Sequence, residues 1–215
     1  MTAAPEKLAA LRHLLAERFP TVPRTAGRVL PTGIAAVDEV TGGIPLSAIT
    51  ELVCAAPSCG SQLFLSQLLA TARAVRTRVA LIDSTDSFDP GSFAEDLLAH
   101  LVWVRCVGTA QALQAADLLT RDANLGLVVL DLRRAPLAEL RRAPATQWYR
   151  LQRAVEPSDL AFVVETPRAC VPSAQLRLAL DTPHQPTALD RPRINLVVNL
   201  KPTLQRQRLQ ASAGG

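Results

Sequence analysis

The segment "CAAPSCGSQ", Cys54–Gln62, lies between the apolar run "AITELV" and the helical stretch "LFLSQLLATARAV". A turn from strand to helix gathers backbone N–H groups that can cradle a phosphate. The loop best built for this reads G-x-x-x-x-G-K-[ST]. Its glycines let the backbone wrap the phosphates, its lysine reaches the β- and γ-phosphates, and its hydroxyl holds magnesium. Counting back from Gly60 puts Ala55 at the first glycine, Ser61 at the lysine and Gln62 at the hydroxyl, so Gly60 alone survives. Counting forward from Glu51 puts Cys54 at the first glycine, which makes the loop one residue longer. Three readings fit these residues: a decayed nucleotide site, a site with altered chemistry, and an ordinary turn.

Other residues capable of chemistry are spread along the chain. Asp131 ends the apolar run "GLVVLD", where a carboxylate can reach magnesium through water or open a turn. Asp86, Asp89, Glu95 and Asp96 have the composition of a metal cluster, but a Pro90-Gly91 turn opening an acidic-ended helix accounts for them better. Cys54, Cys59, Cys106 and Cys170 show no CxxC pairing, and the histidines stand far from them, so reduced thiols and no metal are expected. Between Arg133 and Arg153 there are six arginines against one glutamate, Glu139, with Trp148 and Tyr149 inside the same stretch. Basic charge with aromatics suits single-stranded DNA, and Arg133, Arg134, Arg141 and Arg142 are the candidate contacts. The competing reading is an exposed helix with Trp148 in the core.

The elements that must position these groups follow from periodicity. Residues 5–18 read as an amphipathic helix, and "FPTVPRTAGR" breaks it into an arm. Strands are predicted at 48–53, 78–83, 101–106, 126–131 and 160–165, with helices at 61–75, 91–100, 109–122 and 145–156. Continuous apolar strands separated by helices predict an α/β fold, a mostly parallel central sheet covered on both faces. The runs "QLRLAL" (175–180) and "INLVVNL" (194–200) are expected to close the sheet as antiparallel strands. This divides the chain into a helix and arm over 1–27, a core over 28–200 and a basic flexible tail over 201–215. Without a membrane-length apolar run or a signal-like start, the expected location is cytoplasmic.

The order of several features resembles the RecA family of recombinase cores. They are Thr32-Gly33, Val37-Asp38, Gly42-Gly43-Ile44-Pro45, Glu51, the Cys54–Gln62 loop, Asp83 through Asp89-Pro90, and Asp131. The likeness covers about residues 28–182 and is nearest to the shortened ImuA or SulA-like branch, accessory factors of DNA-damage-induced mutagenesis. It implies a RecA-like core with a vestigial P-loop at Cys54, Ala55, Gly60, Ser61 and Gln62, and a vestigial Walker B residue at Asp131. The hydrolytic glutamate of the family matches Thr85, and its γ-phosphate-sensing glutamine matches Thr166. A threonine hydroxyl cannot serve as general base near neutral pH. The resemblance therefore implies a protein that is not an enzyme, with no cofactor and no bound ATP. Its partners would be RecA, or an ImuB-like inactive homologue of Y-family polymerases, within the SOS and translesion response. Leu8, Leu11, Leu15, Phe19 and Val22 would dock on such a partner. The alternative is a DNA-stimulated ATPase, or a weak single-stranded DNA binder, with an altered P-loop.

Overall fold

Apolar runs that lack alternation need cover on both faces, and the chain provides it. The computed structural model describes residues 28–208. A short antiparallel hairpin, β1 (Val29–Leu30) with β2 (Ile44–Pro45), encloses helix α1 (Ala35–Thr41). Asp38 fixes the entry to α1 by accepting from Thr32 N at 2.8 Å, Thr32 Oγ1 at 2.7 Å and Gly33 N at 2.9 Å. Gly43 has φ +128°, and a Cβ there would run into the Leu30 carbonyl.

Then follow β3 (Ala48–Cys54), α2 (Ser61–Ala74), β4 (Arg78–Asp83), α3 (Glu95–Leu98), β5 (Leu101–Arg105), α4 (Gly108–Leu119) and β6 (Leu125–Asp131). The second half adds α5 (Leu137–Arg142), α6 (Ala145–Val155), β7 (Ala161–Thr166), β8 (Leu176–Leu180), α7 (Arg193–Val198) and β9 (Thr203–Gln207). The main sheet has seven strands in the order β5-β4-β6-β7-β3-β8-β9. All neighbours are parallel except β8 and β9.

Alternate residues of the strands feed two cores. On one face Leu52, Leu81, Val129 and Val163 pack with Phe64, Leu65 and Leu68 of α2 and with Ile34 and Val37 of the α1 region. On the other, Ile49, Ile82, Leu130 and Phe162 pack with Leu113 of α4, Leu140 of α5, and Trp148 and Leu151 of α6. The α/β architecture with a mostly parallel sheet covered on both faces is therefore present. Among the described residues no helix is long and apolar enough to cross a membrane.

The C-terminal third departs from expectation. "QLRLAL" forms β8, but parallel to β3 rather than antiparallel. "INLVVNL" is not a strand. Its middle is α7, opened by Pro192 at the N-cap, and Val197 and Leu200 enter the core at helical spacing while Ile194 and Val198 face solvent. The antiparallel strand is β9, drawn from the stretch expected to be a flexible tail, so the core extends past residue 200. Its polar sequence "TLQRQ" suits an edge strand, which gains from polar residues that discourage further pairing. The expected helix over 91–100 shrinks to a 3₁₀ turn at Pro90–Ser92 and to α3.

Candidate functional site

The loop after β3 lies at the carboxyl ends of the parallel strands, where open α/β sheets bind ligands. Strand register sets three acids in a row there: Asp83 of β4 is opposite Asp131 of β6, and Asp131 is opposite Glu165 of β7. Asp83 is occupied locally. Its carboxylate accepts from the backbone N–H of Thr85 at 3.2 Å, Ser87 at 3.0 Å and Phe88 at 2.8 Å. Burial opposes its charge, and these bonds outweigh that and hold its pKa below the ordinary value.

Asp131 and Glu165 share one guanidinium. The Arg133 backbone N–H donates to Asp131 Oδ1 at 2.9 Å, which turns the chain back on itself just past the strand. Arg133 Nε donates to Asp131 Oδ1 at 2.9 Å and Nη2 to Asp131 Oδ2 at 2.5 Å, while Glu165 Oε2 lies 2.9 Å from Nε as an ion pair and finds no hydrogen-bond donor among the described residues. Nη1 donates to Ser61 Oγ at 2.6 Å, at the first residue of α2. With its oxygen turned inward, the Gln62 amide accepts from Nη2 at 2.7 Å and Nη1 at 3.0 Å. The Arg133 side chain is 14% exposed and the two carboxylates 2%. A cation thus stands at a helix N-terminus, a position that favours anions. The two carboxylates make it tolerable there.

One guanidinium faces two acids, and a proton on Glu165 makes up the balance. Burial pushes Glu165 up to about 8, against the pull of Arg133 and with the push of Asp131. Burial also works against the Arg133 charge, but Glu165 and Asp131 prevail and hold the guanidinium above its ordinary value. Cys59 in the loop is drawn down to about 6 by a hydrogen bond from Cys54, with the Ser61 N–H and the Arg133 charge adding to the fall against burial. The same thiol–thiol bond raises Cys54.

The loop is also roofed. Gly60 has φ +90°, and an added Cβ would stand 2.6 Å from Leu200 Cδ1 and 3.1 Å from His184 Nε2. The His184 N–H donates to the Ser58 carbonyl at 2.9 Å, and Arg193 Nη2 reaches the Gln62 carbonyl at 3.5 Å. Residues between β8 and β9 thus lie directly on the loop.

The remaining predicted residues fall elsewhere. Thr166 turns to the opposite face and donates to Glu51 Oε1 at 3.0 Å. The Thr85 hydroxyl is buried and finds no hydrogen-bond partner among the described residues. Arg134, Arg141 and Arg142 are exposed on and before α5, but Arg133 does not share their surface because its side chain folds back onto Asp131. Trp148 is buried in the core, and Tyr149 is 47% exposed. The acids at 86–96 are dispersed: Asp86 pairs with Arg105, Asp89 caps the 3₁₀ turn through Gly91 N and Ser92 Oγ, and Asp96 pairs with Arg73. Among the described residues no group of His, Cys, Asp and Glu could hold a metal. Leu8, Leu11, Leu15, Phe19 and Val22 lie outside the described residues.

Sequence reasoning missed Glu165 and the inward turn of Arg133. The available signals were an acid ending the otherwise apolar "LAFVVE" and the pattern Asp-x-Arg at 131–133. No protein-family model matches this chain, and no curated protein matches its sequence.

Proposed function

We propose that this chain is a RecA-like accessory protein that does not hydrolyse nucleotide and acts by docking on other proteins of the DNA-damage response. The partners the resemblance points to are RecA and an ImuB-type polymerase homologue. One observation carries the reading: the Arg133 guanidinium fills the space between Ser61, Asp131 and Glu165. A polyphosphate entering there would displace that side chain and meet two carboxylates, with no lysine in the loop to offset its charge. Thr85 and Thr166 add to this, since neither presents a group that could activate or sense an attacking water. The parallel sheet, with the loop at its carboxyl end, is the setting the RecA-like reading requires.

The same guanidinium favours a second reading, because it lies against Ser61, the lysine position. An altered ATPase would use Arg133 as its phosphate-binding cation. Thermal unfolding of the full chain with and without Mg-ATP separates the two, alongside phosphate release in the presence of single-stranded DNA. The docking reading expects no nucleotide-dependent shift and no release. A shift that disappears in Arg133→Ala and Asp131→Ala, together with phosphate release, would establish the ATPase instead. Co-purification with RecA and with ImuB, using the full chain and a chain lacking residues 1–27, tests docking directly. The docking reading fails if the full chain associates with neither.

A further inference from the structure

On the face of the molecule formed by α4 and α6, two recesses adjoin. The first is a groove of about 760 Å³ lined by Arg121, Tyr149, Arg150, Arg153, Glu156 and Arg208, among others. The second is a recess of about 350 Å³ between α4 and α6, lined by Leu113, Leu118 and Leu151 with the amides of Gln114 and Gln147. Arg150 borders both.

The arginines of the groove are partly fixed. Asp117 receives Arg150 through Nε at 3.0 Å and through a second bond from Nη2, and Arg121 Nη2 at 3.2 Å. Two guanidinia on one carboxylate leave an excess of positive charge while losing little side-chain freedom on binding. Arg153 and Arg208 are exposed and find no carboxylate among the described residues. Glu156, which accepts from Gln152 Nε2 at 2.7 Å, is the acid lining the groove. At the lip of the second recess Leu118 is 72% exposed, although leucine gains most from burial.

We propose that this joined surface binds an acidic peptide segment of a partner protein, with one large apolar side chain seated over Leu118 between α4 and α6 and its carboxylates on Arg153 and Arg208. Asp117 already takes Arg150 in two-pronged geometry, the pairing a peptide carboxylate would repeat on Arg153 and Arg208. A nucleic-acid strand fits less well. The apolar recess at Leu118 offers nothing to a phosphate backbone, and among the described residues Tyr149 is the one exposed aromatic lining the groove for bases to stack on. The composition of this chain's own ends does not match an acidic occupant. Residues 1–27 carry two glutamates against four basic residues, and residues 209–215 carry no charge.

This inference rests on the proposal that the protein works by docking. The probe is a fluorescein-labelled synthetic peptide with a Leu-Phe pair flanked by Asp and Glu, titrated with the full chain and read by polarisation. Binding should fall at least about tenfold for Arg153→Glu/Arg208→Glu and for Leu118→Ser. It should fall similarly when the peptide's Leu-Phe pair is replaced by serines. Absence of binding, indifference to these changes, or tighter binding of an oligothymidine of equal charge would overturn the inference. If Arg153→Glu/Arg208→Glu still associates with RecA or ImuB, the groove inference alone fails. If the unaltered chain associates with neither, the docking proposal fails whatever the peptide does.

Discussion

Two half-buried arginines stand at the sheet, and they are satisfied in different ways. Arg177 faces one carboxylate, Glu51, whose Oε2 accepts from Nε at 2.6 Å. The other oxygen of Glu51 accepts from Thr166 Oγ1 at 3.0 Å, Cys170 N at 2.7 Å and Val171 N at 3.1 Å. One negative charge therefore meets one positive charge and three further donors, all from β7 and the segment after it. Arg133 faces two carboxylates, and its other contacts are to Ser61 and Gln62, at the position of a phosphate loop. The first cluster has the balance of a structural staple. The second sets two acids on one guanidinium, and a proton held on Glu165 makes up the difference.

The comparison breaks most readily at Arg133. Arg133→Ala leaves the buried Asp131 carboxylate, beside Glu165, without its counter-charge and should cost about 3–5 kcal/mol in a denaturant titration. Adding Glu165→Gln to that variant should recover a large part of the loss. If the double variant is as unstable as the single one, charge is not what matters in the cluster. A smaller effect, about 1–3 kcal/mol, is expected for Glu51→Gln. There the amide oxygen can still accept from Thr166, Cys170 and Val171 while its nitrogen faces Arg177. A loss larger than that of Arg133→Ala would reverse the ranking.

The smallest effect is a pH dependence confined to the Arg133 cluster. Glu165 titrates at about 8 in the folded chain against an ordinary 4.5. The folded state then holds the extra proton, so this contribution is full below 4.5 and is lost as pH rises through 8. Cys59, at about 6 against 9.0, acts in the opposite sense and adds stability as pH rises from 6 to 9. Thermal midpoints across this range should therefore rise more steeply with pH in Glu165→Gln than in the unaltered chain, and less steeply in Cys59→Ser. Identical profiles for all three would remove the Glu165 proton from the account.

Much of the sheet was legible because its strands are buried on both faces and need no alternation. The run at 78–83 is β4 residue for residue, and β3, β6 and β7 differ from expectation by a residue at their ends. "INLVVNL" misled because a helical turn and a short strand both bring Val197 and Leu200 inward, and Pro192 decides for the helix. β9 was hidden because an edge strand carries polar residues, as a tail does. At the site, Ser61 and Gln62 standing where a phosphate loop has lysine and a hydroxyl could be read from spacing alone. The direction of Arg133 could not, because it depends on where Glu165 and Ser61 arrive from strands and helices far along the chain. Trp148 in the core resolves the ambiguity at α6, where one helix supplies both the apolar anchor and the exposed arginines.

Strand β3 pairs only with β7 and β8, both more than a hundred residues later in the chain. During synthesis its run "AITELVC" must wait, apolar and unpaired, while β4, β5 and β6 are made and can associate with one another. Glu51, in the middle of that waiting strand, gains Arg177 and the amides after β7 only when the last third of the chain arrives. The loop after β3 is therefore assembled among the last parts of the molecule, and C-terminal truncation before β8 should trap the chain in an aggregation-prone form.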